Sequence, residues 1–545
     1  MDPILILVLI WLVGILLRIW RLARFFQLEG YMTSRYLRWL VAKPHRYILS
    51  RSAIFVGVAM LAALVLDFSG QDREGIYLLV WGATSILGIW PEPVKEVKQK
   101  LALTQRAVRL LATAFVVGIV VLLVAVVIAQ ASTSLSQAAD YGLVVAVGLV
   151  VYHLCPLALP LANQIMYPVE SSLRRVFRER ARRTLQRANP TVIGITGSYG
   201  KTSTKEFIAH ILNGRYRALP TPKSYNTLMG VCIVINNELA KGEPYDYFIV
   251  EMGAYIEGEI KAICDLTRPK ISLVTAVGPQ HLERFGSIES TARAKYEIIQ
   301  ALPPDGVGVF NWDDPLVRSM YERGYPDTRI GVTWQNAGHA THIRVQASNI
   351  RESADGLAFD VLDTLMDEQR PFHTKLVGRH NVTNILMATA VALHLDMSLG
   401  EIAMRVATLD SPEHRLQRRT LPGGMTVIDD AYSANPVGAR GALDVLALYD
   451  DGRRVLITPG MVELGELQAQ ENQKLGRYAA GIATDIVLVG IEQTEPIQRG
   501  VLEAGFDTEH LHIFDTREEA IAWFQHELAA GDAVLFLNDL PDTYL

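Results

Sequence analysis

Residues 194–203 read GITGSYGKTS, with Gly194, Gly197 and Gly200 followed directly by Lys201, Thr202 and Ser203. A glycine-rich turn between a buried strand and a helix is an anion site, because backbone N–H groups and the helix dipole converge on phosphate oxygens. The flanks fit: "TVIGIT" reads as a buried strand, and a helix is expected from about Lys201 to Leu212. In that setting Lys201 reaches the β/γ-phosphates and the Thr202 hydroxyl holds Mg²⁺. The spacing departs from the common phosphate-loop pattern, which puts a glycine where this chain has Ile195. The Gly-Lys-Thr triplet alone leaves open an ordinary strand-to-helix turn with an exposed lysine.

A magnesium–phosphate site needs further hard oxygen ligands. Glu251 ends the next strand in "VEMGAY", and His281 follows another in "AVGPQHLERF". Strand ends on one edge of a parallel sheet share a crevice, where such folds bind ligands. A lone histidine there is equally compatible with an ordinary loop residue. Lys295, in "STARAKYEII", falls on an expected helix, and its spacing assigns it nothing beyond a surface cation.

The elements that would position these residues are short apolar runs alternating with helical patterns. "DYFIVEMG", "ISLVTAVG" and "GVGVFNWDD" are strands, and this alternation implies an α/β domain with a mostly parallel central sheet of phosphate-loop type. Residues 341–363 alternate more strictly and read as appended antiparallel strands, before a helix from about Asn381 to Leu395. A second αβ series begins near residue 411 with "MTVIDDAY", "RRVLITPG", "DIVLVG", "LHIFD" and "AVLFLND". It suggests a smaller C-terminal α/β domain of dinucleotide-fold type, with "SPEHR" at the hinge. The expected organisation is a transmembrane domain at 1–168, a basic juxtamembrane linker at 169–190, a central ATP-binding domain at 191–410 and a C-terminal domain at 411–545.

Before residue 168 the chain is helical membrane sequence. Five apolar stretches stand out, Ile4–Leu17, Ala53–Leu66, Ile76–Trp90, Leu110–Ala131 and Tyr141–Met166. The last two exceed the roughly 20 residues a bilayer requires. Asp2, with no Lys or Arg before the first stretch, argues for a retained span over a signal peptide. Basic side chains gather between the first and second stretches (Arg18 to Arg51), between the third and fourth (Lys95 to Arg109), and after the fifth (Arg174 to Arg187). Positive charge marks the cytoplasmic side. Five spans put all three basic segments there, leaving the N-terminus outside and everything after residue 170 in the cytoplasm. The run at 174–187 reads as a topology signal and solvated helix, with anionic headgroups as its other possible use.

A net charge of −5 does not suggest a nucleic-acid binder, and none is expected as a partner. Cys155, Cys232 and Cys264 have neither zinc-like nor disulfide-framework spacing, which fits reduced thiols in a cytosolic compartment.

Thr196-Gly197-Ser198-Tyr199-Gly200-Lys201-Thr202 resembles the T-G-x-x-G-K-T loop of the Mur ligase family. "SYNTLMGVCIVINNEL", "VEMGAYIEGEI", "VGPQHLERFGSIESTARAKYEII" and "GRHNVTNILMA" are similar to successive central-domain motifs of that family. His414-Arg415, "IDDAYSANP" and "PGMVELGE" are similar to its C-terminal ones. The resemblance runs from about 191 to 490 and is nearest to the branch that joins D-alanyl-D-alanine to a muramyl tripeptide.

It implies ATP-dependent amide formation: a carboxylate attacks the γ-phosphate, and an amine then displaces phosphate from the acyl phosphate. Residues Gly197, Ser198, Tyr199, Gly200, Lys201, Thr202 and Ser203 would hold the nucleotide. Two Mg²⁺ ions are implied, the first on Thr202 and Glu251, the second on His281 and a carbamylated Lys295. Carbamylation turns an ammonium that metals would repel into an anionic oxygen ligand. Asn381 and Asn384 match adenine-side asparagines, although Asn381 also suits a helix cap. Arg415 matches an arginine reaching the γ-phosphate on closure, and Asp430 an aspartate on the ribose, where a strand-end turn is the plainer reading. Asn226 and Asn435 match substrate-side positions.

Two departures matter. Family members of the muramyl branch carry a soluble N-terminal domain for the UDP end of the precursor, and residues 1–190 carry spans and basic loops in its place. A muramyl-peptide acceptor, UDP- or lipid-linked, with a D-Ala-D-Ala-like amine and a contact with membrane lipid, is the resulting expectation. After "GDAVL" this chain reads "FLNDLPDTYL" rather than Lys-Gly-Ser, so contacts from that loop are not carried over. The alternatives are a membrane polymer ligase of poly-γ-glutamate type and a non-catalytic ATP-binding scaffold.

Overall fold

The computed structural model describes residues 2–42, 54–60, 74–90, 100–131, 137–222, 225–280, 282–335, 342–432 and 434–539. They form two compact units, one ending at Arg175 and one running from Val176 to Leu540.

In the first unit, the helix Pro3–Leu28 is capped by the Asp2 carboxylate, which accepts from Ile4 N at 2.9 Å. Leu7, Trp11, Ile15, Ile19, Leu22 and Phe26 recur at helical spacing and are buried against the other helices. Outward-facing Leu5, Leu9 and Val13, and Val116, Val120, Leu123 and Val127 on the helix Gln105–Ala131, make an apolar exterior. Among the described residues three helical runs are long and apolar enough to cross a membrane, Pro3–Leu28, Gln105–Ala131 and Asp140–Ala188.

This differs in detail from the five stretches expected. The first stretch continues as helix to Leu28, so Arg18, Arg21 and Arg24 lie on a helix and not in a loop. Of the second, only residues 54–60 are described, as helix; the rest lies outside the described residues, as do Lys43, Arg46, Arg51, Lys95 and Lys98. The third is the 16-residue helix Glu74–Ile89, short of a full span. The fifth runs through Gln137–Leu154, one 3₁₀ turn and the helix Ala158–Ala188, with Pro168 inside it. The linker expected at 169–190 is therefore mostly helix, since arginine is a good helix former.

The second unit contains two sheets. In the central one, β1 (Thr191–Thr196), β2 (Ala218–Pro220), β3 (Tyr247–Glu251), β4 (Ile271–Val274), β5 (Val307–Asn311), β6 (Thr328–Thr333), β7 (Ile343–Ser353), β8 (Gly356–Asp363) and β9 (Glu368–Thr374) take the order β2-β3-β1-β4-β5-β6-β7-β8-β9. Strands β1 to β6 are parallel and almost continuously apolar because helices cover both faces. Strands β8 and β9 are antiparallel additions; β8 alternates buried and half-buried side chains along its length, and β9 was not anticipated. Helix His380–His394 packs on the helix Lys201–Leu212 and on β5 to β7.

The second sheet has β10 (Gln417–Thr420), β11 (Thr426–Asp430), β12 (Arg454–Thr458), β13 (Asp485–Val489), β14 (Leu511–Phe514) and β15 (Ala533–Leu537) in the order β10-β11-β15-β12-β13-β14. All pairs are parallel except the edge strand β10. The last strand inserts between β11 and β12, which is not the 3-2-1-4-5-6 order of the dinucleotide fold.

Candidate active site

The chain leaves β1 toward β2 on one side and leaves the neighbouring β4 toward β5 on the other, so a crevice opens at the C-terminal ends of β1 and β4. The loop 197–200 fills that end and runs into the helix Lys201–Leu212. Its glycines are required by space. A Cβ on Gly197 would collide with the Thr275 hydroxyl, and one on Gly200, at φ +76°, with Asn384 Oδ1. Ser198 fastens the loop to the segment after β4: its hydroxyl donates to Gly278 O at 3.1 Å and accepts from Gly278 N at 2.9 Å. Thr275 donates to Tyr199 O. The Tyr199 ring packs over Gly278, and its buried hydroxyl has no partner among the described residues. Ser203 sits in the first turn of the helix.

The charged groups follow the sheet. Glu251 stands beside Ile195 in the β1–β3 register. One carboxylate oxygen accepts from the Thr202 hydroxyl at 3.0 Å, the other from Asn226 Nδ2 at 3.1 Å. Thr202, Glu251 and Asn226, separated by up to 49 positions, thus form one cluster of hard oxygens beside the loop. No group of three His, Cys, Asp or Glu side chains able to hold a metal exists among the described residues. Thr202 with Glu251 nonetheless suits Mg²⁺, which favours one or two protein oxygens completed by phosphate and water.

The Lys201 ammonium folds back onto Gly197 O at 2.6 Å and Ser198 O at 3.2 Å. Burial pulls its pKa down to about 8, Glu251 opposes that pull and Arg415 adds to it. Lys295 is 4 % exposed, and its pKa falls well below the ordinary lysine value through burial and the neighbouring Lys201. No carboxylate forms an ion pair with Lys295 among the described residues. His281 lies outside the described residues.

Asn381 and Asn384 are brought to the back of the loop. Asn381 Nδ2 donates to Val377 O at 2.8 Å, Asn384 Nδ2 to Asn381 Oδ1 at 3.1 Å, and Thr204 Oγ1 to Asn384 Oδ1 at 3.2 Å. The N-cap of that helix is Arg379, so Asn381 is not its cap.

In the C-terminal domain, Arg415 lies between His414 at φ +57° and Leu416 at φ +46°. Its guanidinium sits 4.3 Å from the centroid of the Tyr432 ring and is a charged neighbour of both Lys201 and Asp430. Asp430, at the end of β11, accepts from Leu416 N at 3.2 Å. Burial raises its pKa to about 6 against the pull of Arg415. Asn435 caps the helix Pro436–Leu446 by accepting from Gly438 N at 2.8 Å.

Sequence reasoning missed three contributors. Lys205 is fully buried, with Nζ 3.4 Å from Glu251 Oε2. Its signal was its place on the inward face of the helix, with Phe207, Ile208, Ile211 and Leu212. Asn538, at φ +67°, joins three strand ends: its N–H donates to Asp430 O, its amide nitrogen to Gly460 O, and its oxygen accepts from Ala434 N. Arg284 pairs with Glu463 at 2.7 Å, linking the central and C-terminal domains.

Comparison with known proteins bears on this arrangement. Residues 195–392 match the Mur ligase middle domain, and residues 414–538 the Mur ligase glutamate ligase domain. The UDP-N-acetylmuramoyl-tripeptide–D-alanyl-D-alanine ligase of Mycobacterium leprae is 33% identical over 380 residues, covering 63% of this chain and 70% of that protein. The Bacillus subtilis enzyme of that name is 27% identical over 378 residues, 69% of this chain and 79% of its own length. A crystal structure of MurF from Acinetobacter baumannii superposes with a TM-score of 0.59 at 26% identity, covering 68% of this chain and 78% of that one. The fold is also that of Thermotoga maritima MurF in complex with ADP, with a TM-score of 0.58, 23% identity and coverage of 68% and 81%.

Proposed function

Because the chain belongs to the Mur ligase family, and is thus an ATP-dependent, ADP-forming ligase, we propose that it joins D-alanyl-D-alanine, or a similar amine, to the carboxylate of a muramyl-type peptide. We place this reaction at the cytoplasmic face of a membrane in which the first unit is anchored, with the N-terminus outside and a lipid-linked acceptor. The observation that carries the reading is the assembly of Lys201, Thr202 and Glu251 at one sheet edge, with Arg415 reaching it from the second domain. The apolar helices before residue 176 support the anchoring.

The acceptor carboxylate attacks the γ-phosphorus, the bond to ADP breaks, and an acyl phosphate results. The amine then attacks the acyl carbon, phosphate leaves, and the nitrogen loses a proton. Lys201 and Arg415 supply the positive charge that the transferring phosphoryl group needs, and the loop backbone orients it. Thr202 and Glu251 would hold Mg²⁺, which when bound neutralises phosphate oxygens. In this reading Asp430 serves the ribose, Asn381 and Asn384 the adenine side, and Asn226 and Asn435 the acceptor and the amine. Lys295 is buried and its pKa is pulled down by burial and by Lys201, which favours the amine that reacts with CO₂, and its carbamate with His281 would hold a second Mg²⁺.

The test is ADP release by the full chain given ATP, Mg²⁺, D-alanyl-D-alanine and a muramyl tripeptide, either UDP- or lipid-linked, with the product identified by mass. A product heavier by the dipeptide less water is expected. No ADP with either acceptor overturns the reading. A ladder of masses rising by one residue would favour the polymer ligase.

A further inference from the structure

One end of the apolar unit carries more positive charge than its own carboxylates neutralise. The Gln27 side chain donates to Ala102 O at 2.8 Å and accepts from Ala102 N at 2.9 Å, and it also donates to the Tyr31 hydroxyl at 2.9 Å. Asn163 Nδ2 donates to Tyr31 O at 3.3 Å. The end of the first helix, the approach to Gln105–Ala131 and the helix Ala158–Ala188 are therefore knit together here.

Among the described residues two carboxylates belong to the cluster and both are taken: Glu29 by Arg35 at 2.9 Å, and Glu170 by Arg109 at 2.7 Å. Arg106 remains, its guanidinium 4.0 Å from the centroid of the Tyr31 ring, with Arg174, Glu170 and Arg109 as charged neighbours. Arg174 reaches the backbone carbonyl of Glu170 at 3.3 Å. Neither Arg106 nor Arg174 has a carboxylate within ion-pair distance among the described residues. Both are half-buried, and like charges in partly desolvated surroundings are unfavourable unless an anion lies between them. Arginine forks match oxyanions with several acid oxygens. Exposed Leu103 and Val108 flank Arg106, so an apolar tail has a surface to follow.

We propose that Arg106 and Arg174, with Tyr31 and Arg109 beside them, bind the diphosphate headgroup of a membrane lipid, and that this lipid carries the acceptor. The second half of the proposal rests on the lipid-linked reading above. The cluster does for a headgroup what a soluble UDP-binding domain would do for a nucleotide-linked precursor, raising the local concentration of the acceptor.

The experiment uses the full chain in phosphatidylcholine nanodiscs, with a long-chain polyprenyl diphosphate or an equal fraction of phosphatidylglycerol as probe and native mass spectrometry as readout. The diphosphate should remain bound to the wild type. R106Q/R174Q should weaken it by about tenfold or more, R106K/R174K by less, and R180Q/R187Q, outside the cluster, not at all. Unchanged ATP binding and melting of the variants show that they are folded. Equal retention by R106Q/R174Q, or equal binding of phosphatidylglycerol, overturns the proposal. If the wild type forms no ADP with any acceptor while diphosphate binding still depends on Arg106 and Arg174, the ligase reading fails and the headgroup site stands.

Discussion

The two sheet edges of the second unit do their work by different physics. The edge at β1 and β3 is dense in buried charge: Lys201, Lys205, Glu251 and Lys295 lie within or beside it. The edge at β11, β15 and β12 relies on directed hydrogen bonds, accepted by Asp430 and Asn435 and donated by Asn538, with left-handed backbone at His414, Leu416 and Asn538. Charge acts steeply in a low-dielectric pocket, whereas neutral hydrogen bonds change equilibria by smaller steps. Substitutions at the first edge should therefore abolish turnover, and those at the second should tune it.

The largest effect is expected from Lys201→Ala, which removes the phosphate-binding cation; kcat/KM measured by ADP release should fall about 10³-fold. Glu251→Gln should act on two observables. Turnover should fall about 10²-fold with a raised Mg²⁺ requirement, and the buried Lys205 ammonium, keeping Glu206 at 3.1 Å but losing Glu251 at 3.4 Å, should lower unfolding stability by about 1–3 kcal/mol in chemical denaturation. An unchanged melting curve would mean that Lys205 and Glu251 are not a working pair. Lys295→Ala should lose activity and regain part of it with a short added carboxylate; full retention removes the carbamate.

The next effect concerns pH. Lys201 binds phosphate as the ammonium, and its pKa lies at about 8. Raising pH deprotonates it, so ATP affinity should be level below about pH 7 and decline through pH 8 and above. Phosphate favours the ammonium, so binding in that range should be accompanied by proton uptake.

The smallest effect is at the second edge. Asp430 has a folded pKa of about 6, above the ordinary carboxylate value, so its protonated form favours folding and that contribution is lost as pH rises through 6. Asp430→Asn should therefore be stabilised by about 1–3 kcal/mol at pH 7 and show little gain at pH 4, with KM for ATP raised about tenfold. A variant destabilised at both pH values would place Asp430 among the ordinary structural hydrogen bonds.

What could be read in the sequence divides along the same line. The phosphate loop was legible because its glycines answer to steric demands at fixed positions, seen in the Gly197–Thr275 and Gly200–Asn384 contacts. The parallel strands were legible because burial on both faces leaves continuous β-branched runs. The Glu251–Asn226 and Glu251–Lys205 contacts were not legible, because they arise only when β3 docks beside β1. The position of β15 between β11 and β12 was hidden for a similar reason, since strand order leaves no local pattern. The helical character of the basic run at 174–187 was legible from its arginines, whereas its continuity with the helix that begins at Ala158 was not, because Pro168 reads as a break.

The backbone beside Arg415 has a consequence for the timing of turnover. The two residues flanking it, His414 and Leu416, are held in a conformation that costs about 1–3 kcal/mol each. That cost is borne in the same arrangement that sets the arginine beside Lys201 and Asp430. The joint therefore works as a braced mount, aimed at the loop before any nucleotide arrives, so that no search for the right pose is left to follow binding. Leu416 bears part of the strain and also anchors the mount, because its side chain is buried in the core of the C-terminal domain.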